Sequence, residues 1–148
     1  MNAAVNAFFL ILKLLSLYFL VVSLFSLCKR KMQKSSTTQR RFAVLIAARN
    51  EESCIAGLIE SLLAQNYPSE LFDIWVLPNN CTDHTADAAR HAGGKVLEMP
   101  TSIHSKGAAL QYAANTLLHG SRYYDAFCVF DADNEVDPAF LSEMNQAL

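Results

Sequence analysis

The sequence places two carboxylates one residue apart, Asp131 and Asp133, directly after the apolar run Ala126–Phe130. Two carboxylates this close repel each other unless a cation lies between or near them. Their oxygen atoms suit Mg²⁺ or Mn²⁺, ions that commonly bridge to substrate phosphates. Such an ion would take up negative charge as a diphosphate group leaves. Many loops contain D-x-D, so the predicted divalent metal site depends on the position of this pair after a strand.

Two further polar clusters follow apolar runs, at residues 48–52 and 78–83. Together with Asp131 and Asp133 they would bring mostly acidic side chains to the ends of three strands. A second interpretation is open for each cluster alone, since Asn, Thr and Asp are also good N-caps of helices. The candidates for that structural role are Asn50, Thr82 and Asp83.

Lys106 precedes Gly107 at the start of a predicted helix. A lysine beside a helix N-terminus can bind a phosphate, because free backbone N–H groups point the same way. A solvated lysine is the alternative. The sequence contains neither G-x-x-x-x-G-K-[ST] nor G-x-G-x-x-G, which argues against a P-loop and against a dinucleotide-binding fold.

The elements that must position these residues alternate between strands and helices. Short apolar runs predict buried strands, and 3.6-residue periodicity predicts helices. The strands are expected at 42–47, 72–77, 95–98 and 126–130, and the helices at 52–65, from Thr82 or Asp83 to 91, at 105–118, and from Asp137-Pro138 onward. This order predicts an α/β fold with a mostly parallel sheet and flanking helices. Ligands bind at the carboxyl ends of the strands in such sheets.

Residues 1–28 form an apolar segment that predicts one transmembrane helix before this domain. As a helix, residues 3–28 of this segment reach ~39 Å, enough to cross a ~30 Å hydrocarbon core. A span over 8–27 places Lys13 about 7.5 Å from one end, within reach of the interface. A signal peptide, a lipoprotein at Cys28 and a buried core helix fit less well, because no small-residue cleavage site appears and a basic run follows.

The charge distribution is asymmetric. Seven of the 12 Lys and Arg residues lie within 1–41, and all 14 Asp and Glu residues lie within 42–148. The basic residues after the apolar segment predict a linker over 29–41 and, by the positive-inside rule, a cytoplasmic domain on a single-pass membrane anchor that contacts the lipid bilayer. The acidic balance of 42–148 argues against nucleic acid as a partner. The four scattered cysteines form no C-x-x-C pair and predict no zinc site.

Several motifs over residues 42–148 resemble those of the family 2 glycosyltransferases with a GT-A fold, including membrane-bound N-acetylglucosaminyltransferases and polysaccharide synthases. The matches in chain order are Ala47–Glu52 to P-A-R-N-E-E, Leu62–Pro68 to S-L-x-x-Q-x-Y-P, Asn80–Ala86 to N-C-T-D-x-T-A, Lys106-Gly107 to G-K-G, and Phe130–Asp133 to D-A-D. An ordered set of this kind is far more specific than any one motif.

The resemblance implies roles for individual residues. Glu51 and Asn79 would lie by the nucleoside, and Asp83 would support that loop. Lys106 would approach the nucleotide, while Asp131 and Asp133 would hold ribose, diphosphate and metal. The remaining predicted nucleotide-sugar-binding residues within these motifs are Ala48, Asn50 and Ala132. Three positions depart from the family pattern: Ala47 replaces Pro, Ser105 replaces the first Gly of G-K-G, and Asn79 replaces an Asp that contacts uracil.

By resemblance, the function is transfer of a sugar from a nucleotide-diphosphate sugar, UDP-linked in most relatives, to a polysaccharide or lipid acceptor at the cytoplasmic membrane face. Relatives carry an acceptor-binding half after D-x-D, so the general base is expected beyond Leu148 and the domain is expected to be incomplete at its C-terminus. The alternative is a truncated or vestigial nucleotide-sugar-binding module without turnover. A sugar-phosphate nucleotidyltransferase would need a Gly-rich, Arg-containing loop after the first strand, and AARNEE is a different loop.

Overall fold

The computed structural model describes residues 3–27 and 38–148. These residues belong to two compact units, one within residues 1–33 and one within residues 34–148. The described part of the first unit is a single helix, and the second unit is a sheet with flanking helices. Each unit is described by itself below.

Most of the predicted basic linker, residues 29–37, lies outside the described residues, together with Cys28. The linker's last two residues bond to the sheet unit. Arg41 N donates to Asp125 Oδ2 at 2.6 Å, and a guanidinium nitrogen of Arg40 donates to the Asn145 carbonyl at 3.0 Å.

The first unit contains α1, Ala3–Leu27. Its stretch Val5–Phe25 is long and apolar enough to cross a membrane, as judged by length and composition. Leu, Phe and Val dominate it, and no Pro or Gly interrupts the backbone hydrogen bonds. Lys13 lies eight residues after Val5, about 12 Å along the axis. The charge is therefore deeper in this span than the prediction over 8–27 placed it.

The second unit contains a four-stranded sheet in the order β3-β2-β1-β4, with every neighbouring pair parallel. Its strands are β1 Phe42–Ala48, β2 Phe72–Pro78, β3 Lys95–Val96 and β4 Ala126–Asp131. All four lie where the apolar runs predicted them, although β3 is shorter than expected. The parallel α/β fold is therefore confirmed.

Helices cover both faces of this sheet. They are α2 Ile55–Leu63, α3 Thr85–His91, α4 Lys106–Leu118 and α5 Phe140–Ala147, with a 3-10 turn at Ser69–Leu71. Side chains from α2, α3 and α5 pack in one core with Val44 and Ile46, and α4 packs in a second core with Ala43 and Leu45. Alternate residues of β1 thus face opposite cores, as the strand period of two requires.

Three predicted helix starts were wrong, because local turns occupy the first positions. The α2 helix begins at Ile55 rather than Glu52, after a turn in which Ile55 N donates to the Glu51 carbonyl at 3.0 Å. Pro138 is outside α5: the Asp137 carboxylate accepts from Ala139 N at 2.8 Å and forms a turn. Asp residues can satisfy nearby backbone N–H groups without continuing a helix.

The N-cap of α3 is His84 rather than Thr82 or Asp83. The prediction for α4 was correct to within one residue, since Ser105 caps it and Ser105 Oγ accepts from Ala108 N at 3.2 Å. The predicted glycine stop of α3 is also confirmed, because Gly93 follows the helix with φ 96, a conformation that favours glycine.

A buried carboxylate joins the amino ends of the strands. Asp73 is only 6% exposed and accepts hydrogen bonds from Lys95 Nζ at 2.7 Å and from the Tyr124 hydroxyl at 2.6 Å. Arg122 Nε lies 2.9 Å from Asp73 without the alignment of a hydrogen bond, so that contact is ionic. Burial raises the pKa of Asp73, but the hydrogen bonds from Lys95 and Tyr124 and the nearby cationic charges outweigh it and lower the pKa overall.

We expect Asp73→Asn to lower the free energy of unfolding by about 1–3 kcal/mol at pH 7, because it removes a buried anion that accepts charge-assisted hydrogen bonds. A depressed folded-state pKa stabilises the fold above the unfolded pKa of about 4, and this contribution is lost as pH falls through the folded value. The difference in the free energy of unfolding between the wild type and Asp73→Asn should therefore become smaller below about pH 4. Fluorescence of Trp75, whose Nε1 lies 3.2 Å from the Tyr124 hydroxyl, reports denaturant unfolding at each pH.

The matched control is Asp87→Asn, at a carboxylate that is 60% exposed and pairs with Arg90 on α3. Exposed pairs of this kind contribute about 0–1 kcal/mol. An equal loss of unfolding free energy in both variants would contradict a stabilising role for the Asp73 carboxylate. A loss in Asp73→Asn that does not change with pH would contradict it as well.

Candidate donor-binding site

A cavity of about 430 Å³ opens at the carboxyl ends of β1, β2 and β4. The residues that line it come from the ends of these strands, from the loops after them, and from the segment that leads into α4 and its first residue. They are Ala47, Ala48, Arg49, Glu51, Asn79, His104, Lys106, Asp131, Ala132 and Asp133. The structure thus brings seven of the predicted site residues to one cavity.

The parallel register puts these strand ends at one level. Ala47 pairs with Asp131 across β1 and β4, and Ala48 pairs with the last residue of β2. Asn79 N then donates to the Ala48 carbonyl at 2.9 Å, which extends the ladder by one residue. Small side chains at Ala48 and Ala132 are buried beneath the cavity and leave the polar groups around it accessible.

Asp131 and Asp133 lie on either side of the buried Ala132, in a turn closed by Asn134. Asn134 N donates to the Asp131 carbonyl at 3.1 Å, and Asp131 N donates to Asn134 Oδ1 at 3.0 Å. The buried methyl group of Ala132 and these two hydrogen bonds define the turn, so backbone geometry brings both carboxylates to the cavity.

Lys106 Nζ contacts Asp131 Oδ1, so the first residue of α4 and the last residue of β4 meet across the cavity. Their side chains are 50% and 59% exposed, respectively. An ion pair this open to water contributes little, about 0–1 kcal/mol. A different cation could therefore replace the ammonium group at Asp131 without a large loss.

The oxygen ligands at the cavity fit a hard divalent cation that binds together with a phosphorylated ligand. Within residues 3–27 and 38–148, no three His, Cys, Asp or Glu side chains come together as a metal site. Three carboxylates line the cavity, and the sequence motif assigns two of them, Asp131 and Asp133, to the cation, while Glu51 comes from the loop after β1. Mg²⁺ and similar ions are commonly held by one or two carboxylates plus water and substrate phosphates, which matches this arrangement.

Asn50 and Asp83, two of the predicted binding residues, do not line the cavity. They join the β1–α2 loop to the β2–α3 loop instead. Asn50 Oδ1 accepts from Thr82 N at 2.8 Å, and Asp83 Oδ2 accepts from Glu52 N at 3.1 Å. The link is reciprocal, since Glu52 Oε2 accepts from His84 N at 3.1 Å. Three side chains thus satisfy backbone N–H groups of the facing loop.

The fully buried Thr85 connects this network to Glu51. Its hydroxyl donates to Asp83 Oδ1 at 2.5 Å and accepts from Glu51 N at 2.9 Å. The hydrogen bond from Thr85 is the main cause that lowers the pKa of Asp83. Asp83 therefore stays ionised at a lower pH than an ordinary carboxylate does. Because it accepts the hydroxyl proton of Thr85, the oxygen of that hydroxyl is free to accept from Glu51 N.

The sequence interpretation missed three lining residues, Ala47, Arg49 and His104. The first two lie within the AARNEE motif, so their place in that loop was available as a signal. His104 matches no ligand spacing, and tertiary contacts bring it to the cavity. Asn80 Nδ2 donates to the Ile103 carbonyl at 2.7 Å and to Asn79 Oδ1 at 2.8 Å.

Comparison with curated proteins identifies glycolipid synthases as relatives. The beta-monoglucosyldiacylglycerol synthase of Nostoc sp. is 40% identical over 43 residues, which make up 29% of this chain and 9% of that protein. The enzyme of the same name from Synechocystis sp. is 29% identical over 51 residues, 34% of this chain and 11% of that protein. The matched segment thus spans about a tenth of the length of these relatives.

Solved structures share the fold at low sequence identity. The mannosyltransferase PcManGT from Pyrobaculum calidifontis, in complex with GDP-Man and Mn²⁺, has a TM-score of 0.73 and 20% identity over 88% of this chain and 38% of its own. TarS from S. aureus has a TM-score of 0.59 and 22% identity over 70% of this chain and 31% of the solved chain. Both support a GT-A fold.

The family assignment does not depend on these structures alone. A model of glycosyl transferase family 2 matches residues 43–148, which is the part of the chain that forms the sheet, the flanking helices and the cavity. The motifs at 47–52, 62–68, 80–86, 106–107 and 130–133 all fall within this range. The chain therefore belongs to glycosyl transferase family 2.

Proposed function

We propose that residues 42–148 bind a UDP-sugar together with a divalent cation, as the donor-binding part of a glycosyltransferase. The observation that supports this best is the cavity at the strand ends, where Asp131, Asp133 and Lys106 meet Glu51 and Asn79. Its volume of about 430 Å³ is within the range of small-molecule sites, about 300–1,000 Å³.

Asp131 and Asp133 would hold the cation, and the diphosphate would complete its coordination. When bound, the cation would stabilise the negative charge of the departing nucleoside diphosphate. Lys106 would add a second positive charge at the same end of the cavity. A phosphate there would also face the N-terminal N–H groups of α4, a 13-residue helix. The proposal draws support from PcManGT and from glucosyl-3-phosphoglycerate synthase of Mycobacterium tuberculosis, both crystallised with Mn²⁺.

The nucleoside would lie toward Glu51 and Asn79. Glu51 carries a carboxylate, which accepts hydrogen bonds from hydroxyl or N–H groups. Asn79 Oδ1 already accepts from Asn80 Nδ2, so its amide N–H groups are the natural donors to a base carbonyl. Uracil offers such carbonyl oxygens, so Asn79 is compatible with the UDP-linked donor that the family resemblance implies, even though Asn replaces the Asp of the family pattern.

The acceptor is proposed to be a lipid or a polysaccharide at the cytoplasmic membrane face. The length and composition of α1 support a membrane anchor, and the curated relatives, which are named beta-monoglucosyldiacylglycerol synthases, favour a lipid. We assign no residue within 42–148 as the general base that would deprotonate an acceptor hydroxyl. The proposed roles of the cavity residues concern donor binding alone.

Calorimetric titration of the full chain in detergent tests the donor site. UDP should bind more tightly with Mn²⁺ than without it, and Asp133→Ala should remove most of this gain, because one of two protein ligands is lost. We expect a loss of affinity of about tenfold or more, on the scale of one charge-assisted contact.

Glu135→Ala is the matched control, since Glu135 is an exposed carboxylate of the same loop that does not line the cavity. It should bind UDP and Mn²⁺ like the wild type. A UDP affinity that is the same with and without Mn²⁺, or that is unchanged in Asp133→Ala, would contradict the assignment of Asp131 and Asp133 as metal ligands.

Thr85→Val tests the link between the two loops, because valine keeps the shape of the side chain and removes the hydroxyl. We expect the free energy of unfolding to fall by about 1–3 kcal/mol, since Glu51 N and Asp83 lose a buried partner. UDP affinity should fall as well, because Glu51 is less well held. Thr85→Ser, which retains the hydroxyl, should recover most of both properties; equal behaviour of the two variants would refute the link.

Membrane attachment is tested by fractionation of expressing bacterial cells. The full chain should stay in the pellet after alkaline carbonate extraction, whereas a chain without residues 1–28 should be released. In right-side-out spheroplasts, external trypsin should leave residues 42–148 intact if they are cytoplasmic. Cleavage by external trypsin would reverse the proposed orientation, and carbonate release of the full chain would rule out a spanning helix.

A further inference from the structure

A thiol lies against the carboxylate of the cavity residue Glu51. Cys54 Sγ is 3.1 Å from Glu51 Oε2 and 3.6 Å from the Glu51 carbonyl oxygen. Cys54 is also the N-cap residue of α2, and its backbone N donates to the same carbonyl at 3.2 Å. The thiol therefore projects from the start of a helix that is packed in the core, while Glu51 belongs to the loop before it.

The protonation state of this thiol fits a donor. Burial, the hydrogen bond to Glu51 and the nearby charges of Glu51 and Asp133 raise the pKa of Cys54 to about 11. At neutral pH the sulfur therefore carries its proton, and Glu51, a carboxylate, can only accept. The contact is an S–H···O hydrogen bond directed at one carboxylate oxygen.

Two contacts then fix Glu51 from opposite ends. Thr85 holds its backbone N at 2.9 Å, and Cys54 holds Oε2 of its side chain at 3.1 Å. Among the described residues, the hydrogen bond that the Glu51 carboxylate accepts comes from Cys54 and goes to Oε2. The second oxygen, Oε1, is left to accept from a ligand in the cavity.

We propose that Cys54 is a positioning residue for donor binding: its S–H group orients the Glu51 carboxylate so that Oε1 can accept from a hydroxyl or N–H group of the nucleoside. The inference rests on the proposed donor site and adds a residue that does not line the cavity itself. Without the thiol, Glu51 would adopt several rotamers, and the ligand would have to select one of them. Ordering a flexible side chain of this kind weakens binding.

The competing explanation is that Cys54 only fills space beside α2. A double-mutant cycle separates the two, with UDP and Mn²⁺ titrated into the full chain in detergent. Cys54→Ala should weaken UDP binding about threefold to tenfold, the range of one ordinary hydrogen bond. In a Glu51→Ala background the same change should have less than about a twofold effect, because no side-chain acceptor is left for the thiol to orient. Cys54→Ser supplies a hydroxyl donor at the same position and should restore affinity.

Direct titration of the thiol gives a readout that needs no nucleotide. The rate of alkylation of Cys54 against pH should report a pKa near 11 in the wild type. Glu51→Gln should lower this pKa, since it removes a negative charge and a carboxylate acceptor, and burial should keep it above the ordinary value. Cys28→Ala, Cys81→Ala and Cys128→Ala in the background leave Cys54 as the remaining cysteine of the four in the sequence.

The outcomes distinguish this inference from the proposed function. UDP binding that is unaffected by Cys54→Ala, or affected equally in both Glu51 backgrounds, would overturn the positioning role and leave the donor site standing. A thiol pKa that does not respond to Glu51→Gln would overturn it as well. A wild-type chain that binds no nucleotide would instead overturn the donor site, and the positioning role with it.

Discussion

Burial of β1, Phe42–Ala48, is the constraint on which the rest of the domain depends. The strand is paired on both edges, by β2 and by β4, and six of its seven residues are almost fully inaccessible to solvent. A strand enclosed in this way can present polar side chains only beyond its end. Because its neighbours are parallel and in register, their polar residues emerge at the same level. The cavity is a consequence of that geometry, since three strand ends must diverge around the helices that follow them.

The loops at this edge also have to satisfy their own backbone groups. Asn50, Glu52 and Asp83 do this by accepting from N–H groups of the facing loop, and the buried Thr85 hydroxyl joins Asp83 to Glu51. Polar residues of one sequence motif thus have two different roles. Some reach the cavity, and others hold the loops at a fixed separation. A ligand that fills the cavity then meets groups whose positions are already restricted, which reduces the ordering that binding requires.

Periodicity in the sequence predicted the strands and their parallel arrangement, because continuous apolar runs such as Phe42–Ala47 have few alternatives to a buried strand. It placed helix starts poorly at 52 and 137, where Glu and Asp residues formed turns before the first helical residue. Capping rules predict that such residues lie near a helix start but do not determine which backbone N–H each one satisfies. His104 could not be predicted for a related reason. Its position depends on Asn80, which lies 24 residues earlier in the chain and holds the Ile103 carbonyl.

The electrostatics of the cavity tie these features to the proposed chemistry. Glu51, Asp131 and Asp133 would repel a nucleoside diphosphate, and the cations that line the cavity are Arg49 and Lys106. The carboxylate of Asp131 partly neutralises the charge of Lys106, because the two side chains are in contact. A diphosphate would therefore gain little attraction from that ammonium group alone. A divalent cation that takes over Asp131 would release Lys106 toward the phosphates, so that metal and lysine act on the ligand together. The half-exposed ion pair makes this exchange inexpensive in free energy. Metal and nucleotide should therefore bind with positive coupling, each improving the site for the other.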